Sequence, residues 1–285
     1  MIKGFQKRIR NLPTLPSVLS QIIGLLEADK SSAADIEKVL RNDQALTTKL
    51  LAVANSAYYG FQHEITTVRR AVVAVGYNEV RNMCLGLSLM GFLRPSVFKD
   101  HQLAGNLWMH SLAVSHAAQV LASRTGCMEP EVAHTAGLLH DIGKVVLAAF
   151  FPDEVEKLFT LLREQGMPFS EAEWELGVAH GEVGRTLAEH WKLPELLSEA
   201  ISRHHAPHPN QLNFAAVSVV HTADYLAHRL GFSDTYRPTP PEFNPMALQG
   251  MNIGTEKLKE CATEVARGRE QIQDLYDKMI GGAES

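Results

Sequence analysis

One octapeptide stands out for chemistry: Gly137-Leu138-Leu139-His140-Asp141-Ile142-Gly143-Lys144. A His-Asp pair alone carries little information, but this one follows an apolar helical stretch, and Gly143 releases the backbone behind it. An imidazole and a carboxylate at a helix end are free to converge on a cation. Partners lie on other predicted helices: His110 upstream, then His180, His204-His205 and Asp224 downstream. Nitrogen and carboxylate donors without thiolate suit iron, manganese, zinc or nickel rather than a cysteine-rich structural zinc centre. Donors this scattered cannot nucleate a site in an unfolded chain, so a packed bundle must position them. Of the 13 histidines, 12 lie between His101 and His228. Taken singly, His116, His134, His190, His208, His221 and His228 read as core or solvent-facing residues and His63 as a loop residue. Trp108, Trp174 and Trp191 read as core, and Lys144 on its own as a charge near a helix end.

The elements that must do the positioning are all helical. Ser32 and Asp35 form a capping pair, Asp43 and Thr67 cap the next helices, and Gly76 stops the helix that Thr67 starts. Asn78 is the expected cap of the helix through Val80, Met83 and Leu87. Residues 91–101 read as a joint. Beyond it one helix spans about Leu103 to Ser123, with Leu107, Leu112, Ala117 and Leu121 inward. Another opens at Pro130, and a third runs from Glu154 to Gln165. Ser170 and Glu173 make a capping box for a helix reaching about His190. Pro194 opens the next, and Phe214 to Leu230 forms another. Pro238, Pro240, Pro241 and Pro245 forbid regular structure, and a last helix spans Thr255 to Ile280, ended by Gly281-Gly282. No stretch alternates with period two, so the fold class is all-α. The expected shape is a multi-helix bundle with an N-terminal helical subdomain packed on a helical core. The expected divisions are 1–99, 100–232 and 233–285.

Composition sets the outer bounds. The chain has 285 residues, 45 % of them hydrophobic and 21 % charged, an ordinary globular balance with ample material for a core. Its net charge of −5 argues against a general nucleic-acid binder. Residues 1–99 hold 13 Lys/Arg against 7 Asp/Glu (+6), and the remainder 14 against 25 (−11). Arg8, Arg10, Arg69, Arg70 and Arg81 could form a basic patch, although a solvated face explains the same excess. Cys84, Cys127 and Cys261 cannot all pair and show no Cys-x-x-Cys spacing, which argues against a disulfide framework. The first eight residues lack the apolar core of a signal peptide. No apolar run is long enough to span a membrane, and a cytoplasmic location is expected.

The middle segment resembles the HD superfamily of metal-dependent phosphohydrolases, helical bundles with a His…His-Asp…Asp signature. The chain from about Leu12 to Leu230 is similar to the HDOD domain, a branch of that superfamily. The likeness rests on Leu12-Pro13-Thr14-Leu15-Pro16, Asn42-Asp43-Gln44-Ala45-Leu46, Ala54-Asn55-Ser56-Ala57-Tyr58-Tyr59-Gly60, Glu175-Leu176-Gly177-Val178-Ala179-His180, Trp191-Lys192-Leu193-Pro194 and His204-His205-Ala206-Pro207. The resemblance implies a bacterial signalling or regulatory protein with a protein partner. By likeness to the related HD-GYP branch, which cleaves cyclic di-GMP, His110, His140, Asp141 and Asp224 would hold one divalent metal. Asp141 would bridge to a second held by His180 and His204, with His205 nearby, and Lys144 would face the scissile phosphate. Iron, manganese or zinc are the implied ions. Two departures stand out: Asn106 where that branch has an acidic ligand, and Ala206-Pro207-His208-Pro209 in place of Glu and then Gly-Tyr-Pro. Three readings follow. One is a regulatory module with a retained metal site. The second is a phosphohydrolase acting on a nucleotide or cyclic dinucleotide, with Asp141 and Lys144 in the chemistry. The third is nucleic-acid binding through the basic N-terminal part. Tyr58 and Tyr59 are expected to pack rather than stack on a base.

Overall fold

In this computed structural model the structure describes residues 17–27, 32–40, 43–92, 101–234 and 241–281. The expected opening motif at 12–16, Arg8 and Arg10, the joint at 93–100, and Pro238 and Pro240 lie outside them. All regular structure among the described residues is helical, and none of the described helices is long and apolar enough to cross a membrane. The described residues form two compact units, one of those within 14–92 and 267–285 and the other of those within 93–266. The tail that the sequence sets apart as one segment is divided between them.

The first unit contains α1 (Ser17–Glu27), α2 (Ala33–Leu40), α3 (Gln44–Ala54), α4 (Val68–Val75), α5 (Tyr77–Phe92) and, from the far end of the chain, a helix over Arg269–Gly281. Its caps follow the sequence. Asp35 Oδ2 accepts from both the backbone N–H and the hydroxyl of Ser32, Asp43 accepts from Leu46 N–H, and Thr67 accepts from Arg70 N–H. Asn78 is not a cap: α5 already starts at Tyr77, with Gly76 O accepting from Val80 N–H. Asn55 clamps the long α3–α4 connection. Its amide donates to Leu51 O and Ile65 O, both at 2.8 Å, and its Oδ1 accepts Ile65 N–H at 2.7 Å. Tyr58 and Tyr59 pack edge to face at 4.8 Å, and Tyr59 donates to buried Glu79, so these rings serve packing. Arg69 pairs with Glu37, and Arg81 reaches Leu25 O, so two of the basic residues serve local contacts.

The second unit holds α6 (His101–Thr125), α7 (Pro130–Leu139), α8 (Ile142–Phe150), α9 (Pro152–Glu164), α10 (Phe169–Leu176), α11 (His180–His190), α12 (Glu195–Arg203), α13 (Phe214–Arg229), α14 (Met246–Gly250) and α15 (Thr255–Arg267). The Arg269–Gly281 helix of the first unit is α16. The inward stripe of α6 is as expected, with Leu107, Leu112, Ala117 and Leu121 all buried. Burial of each leucine contributes about 2 kcal/mol of apolar transfer. Helix α6 packs on α7 and α13, while α11 packs on α8 and α12. Both glycines of the octapeptide are contact points. A Cβ on Gly137 would stand 2.8 Å from the backbone of Ser115 in α6, and one on Gly143 would collide with His180 O. These helices therefore meet backbone to backbone, which draws the ends of α7 and α8 in against α6 and α11.

Two expected helices are interrupted. The run from Ser170 to His190 breaks at Gly177, which caps α10 in the left-handed conformation (φ 64°). Ser170 and Glu173 close no capping box, because α10 already starts at Phe169 with Pro168 as its N-cap; the Glu173 carboxylate goes to His180. The run from Thr255 to Ile280 breaks at Gly268, whose carbonyl accepts from Ile272 N–H to start α16.

Candidate metal centre

The second unit delivers every predicted donor to one point. His110 comes from mid-α6. His140 ends α7, and Asp141 is the first residue before α8. As an N-cap residue Asp141 makes no side-chain cap, so its carboxylate is available to the interior. His180 opens α11, His204 closes α12 with His205 behind it, and Asp224 sits in mid-α13. Asp141 is the hub. Its Oδ1 lies 3.4 Å from His180 Nε2 and 3.6 Å from His204 Nε2. Its Oδ2 lies 3.2 Å from His140 Nε2 and 3.7 Å from His110 Nε2. His205 Nε2 is 3.1 Å from His180 Nε2, and its other nitrogen faces Asp224 at 3.8 Å.

The four inner imidazoles share one orientation. His110 Nδ1 meets Phe232 O at 2.6 Å, His140 Nδ1 meets Gly137 O at 2.8 Å, and His204 Nδ1 meets Ile201 O at 2.9 Å. His180 Nδ1 meets Glu173 Oε1 at 2.7 Å, and the same oxygen accepts His180 backbone N–H. Each partner is an acceptor, so each Nδ1 carries the proton and each Nε2 is turned inward. That second layer of acceptors is what holds histidine ligands in place around metals. Inside it, His140 Nε2 and Asp141 Oδ1 are buried without a hydrogen-bond partner. Lone pairs aimed at carboxylate oxygens repel unless a cation lies between them, and an unmet buried group costs about 1–3 kcal/mol. The donor set therefore fits a divalent cation.

Charge is finely balanced. Burial alone would raise the Asp141 carboxyl, but His140, Lys144 and His180 outweigh it and hold it well below the usual range. Burial opposes ionisation of Asp224 too, and His110, His140 and His205 overcome it. His204 is pushed well below its ordinary value by burial and by His140 and His180. His110 shifts the other way: burial would lower it, but Asp224, Asp234 and Asp141 together raise it. With His110 Nε2 only 3.2 Å from Asp224 Oδ1, a proton or a metal can fill that position.

Lys144 does not cap a surface helix end. It is 2 % exposed, and its Nζ bridges Asp141 Oδ2 at 2.7 Å and Asp234 Oδ2 at 2.6 Å. Three participants were not among the expected site residues: Glu173, His228 and Asp234. His228 was readable, since it stands four residues after Asp224 on the same helical face. Burial, and His110 beside it, lower its pKa to about 4. Glu173 looked like a cap, and Asp234 falls beyond the last periodic residue of α13, where no pattern marks it. His221 is structural as expected: its Nδ1 donates to His204 O, and its Nε2 accepts from Asn244 N–H. His190 and His208 are exposed.

An all-helical core that gathers His, His-Asp and Asp from separate helices around the carboxylate of Asp141 is the class of architecture the structure defines. Within that class the chain belongs to the HDOD domain family, whose pattern matches residues 12–207. A crystal structure of an HDOD domain protein with unknown function from Geobacter sulfurreducens is 26 % identical, superposes with a TM-score of 0.80, and covers 98 % of this chain and 99 % of its own. A Shewanella amazonensis protein, provisionally described as a phosphohydrolase, shares the fold at 22 % identity (TM-score 0.79, covering 97 % and 98 %). So does a Marinobacter aquaeolei protein provisionally described in signal transduction, at 23 % identity (TM-score 0.79, covering 94 % and 60 %). An uncharacterized Treponema pallidum protein is 29 % identical over 236 residues; they make up 82 % of this chain, which spans only 45 % of that protein.

Proposed function

We propose that this chain is an HDOD regulatory module of signal transduction that retains an HD-type divalent-metal centre and works through a protein partner. The observation that carries the reading is the enclosure of a complete donor set. His110, His140, Asp141, His180, His204 and Asp224 are each no more than 2 % exposed, and only His205, with 29 % of its side chain open, reaches solvent. A bare cation fits such a centre far more readily than a phosphodiester does. Lys144, the residue that would meet a phosphate, is instead neutralised by two carboxylates. The metal, iron, manganese or zinc, would be held by His110, His140 and Asp224 on one side of Asp141 and by His180, His204 and His205 on the other.

The phosphohydrolase reading is the second one, favoured by the bridging position of Asp141. A bound metal would supply Lewis acidity toward a phosphate and its attacking water. Lys144 would first have to leave Asp234 to steady charge on the phosphate. The substrate would then be a nucleotide or cyclic dinucleotide.

The test starts with elemental analysis of protein purified without added metal, beside Asp141→Ala. We expect iron, manganese or zinc in the wild type, its loss in the variant, and no turnover of bis(p-nitrophenyl) phosphate or cyclic dinucleotides by the loaded protein. Turnover abolished by both Asp141→Ala and Lys144→Met would replace the regulatory reading with the hydrolase.

A further inference from the structure

His228 and Asp234 lie against the centre, yet the HD-type donor set does not use them. His228 is 4 % exposed, and neither ring nitrogen has a hydrogen-bond partner, a rare state for a buried imidazole. Its Nε2 stands 3.4 Å from Asp224 Oδ1, and its ring centroid 4.7 Å from that of His110. Donor atoms of His110, His228 and Asp234 lie within 4.8 Å of one another, as do those of Asp141, His180, His204 and His205. Between the two groups runs Lys144, tied to Asp141 on one side and to Asp234 on the other. The ammonium engages one oxygen of each carboxylate, Asp141 Oδ2 at 2.7 Å and Asp234 Oδ2 at 2.6 Å, and the oxygen of Asp141 that it leaves, Oδ1, is the one beside His180 and His204.

We propose that the cation position built on His110 and Asp224 is completed by His228 and Asp234 rather than by Asp141, so that Lys144 separates two cation positions. The inference rests on the reading that the centre binds metal. The ligand class is a divalent first-row transition ion, since two imidazoles and two carboxylates suit Mn²⁺ to Zn²⁺ better than Mg²⁺ or Ca²⁺. The residues fall into place along the chain: Asp224 and His228 are one helical turn apart on α13. The segment that leaves α13 then returns to the centre, giving His110 the carbonyl of Phe232 and Lys144 the carboxylate of Asp234.

The test uses the full chain stripped of metal and dialysed against Co²⁺, with bound metal counted by elemental analysis. Wild type, His228→Asn, Asp234→Asn and His205→Asn are compared, with circular dichroism melting to establish that each is folded. We expect about two Co²⁺ per wild-type chain. His228→Asn and Asp234→Asn should each weaken the same one of them by at least about tenfold, and His205→Asn should weaken the other. If His228→Asn fails to fold, Asp234→Asn carries the same expectation. Wild-type binding in both His228→Asn and Asp234→Asn overturns the inference. So does a single wild-type ion that only His205→Asn disturbs, although the metal-centre reading survives that result. No Co²⁺ bound by the wild type removes both.

Discussion

Two polar clusters, one in each unit, use their hydrogen-bonding groups in opposite ways. In the N-terminal unit Asn55 spends its amide and its carbonyl on Leu51 and Ile65, and a long connection is locked by a side chain with nothing left over. In the second unit the outer nitrogens of four histidines are just as well satisfied, but their inner nitrogens, and the Asp141 oxygen between them, are turned toward one another. Saturated polar groups build architecture. Unsaturated ones, held in place by a saturated outer layer, are arranged as metal ligands are.

The largest effect expected from that contrast is at Asp141. Asp141→Ala should empty the centre of metal and leave Lys144 and the facing imidazoles without their shared anion, a loss of about 3–5 kcal/mol in urea unfolding. A variant that keeps both its metal and its stability would break the contrast outright. Glu173→Gln comes next. One oxygen of Glu173 serves both donors of His180, and an amide in its place should weaken metal binding about 10–100-fold while shifting the melting temperature little. Equilibrium dialysis against Zn²⁺ reads this directly; unchanged affinity would mean that His180 needs no orienting partner. Asn55→Ala should show the reverse pattern, a cost of about 1–2 kcal/mol with metal content intact. Loss of metal in Asn55→Ala would erase the distinction between the regions. The smallest effect belongs to Arg69, whose ion pair with Glu37 is open to solvent. Arg69→Ala should change stability by no more than about 0.5 kcal/mol in the same unfolding assay.

Most of the fold was legible, because helix periodicity, caps and prolines are local signals. The Asp43 and Thr67 caps and the buried stripe of α6 all match. The breaks at Gly177 and Gly268 were not, since an isolated glycine inside a helical pattern is ambiguous until tertiary contacts decide. The HDOD likeness was carried by motifs, and the family match supports it. The structure brings His110, His140, Asp141, His180, His204, His205 and Asp224 together, while their roles as ligands await the metal measurements. Residues that act through others stayed hidden. Glu173 fits a capping pattern equally well, and Asp234 has no periodic neighbour to mark it. His228 is the exception, since its spacing of four residues from Asp224 on one helical face is a signal the sequence carries.

The break at Gly268 also has a meaning in time. The last helix, α16, packs on α3, and its Asp274 takes the N–H of Ala57, more than 200 positions earlier in the chain. During synthesis α1 to α5 leave the ribosome before the second unit and must wait for all of it to be made before α16 arrives. At ordinary elongation rates that is on the order of ten seconds or more. The N-terminal unit is begun before the second unit and completed after it, so the second unit has the opportunity to fold while the first is still incomplete.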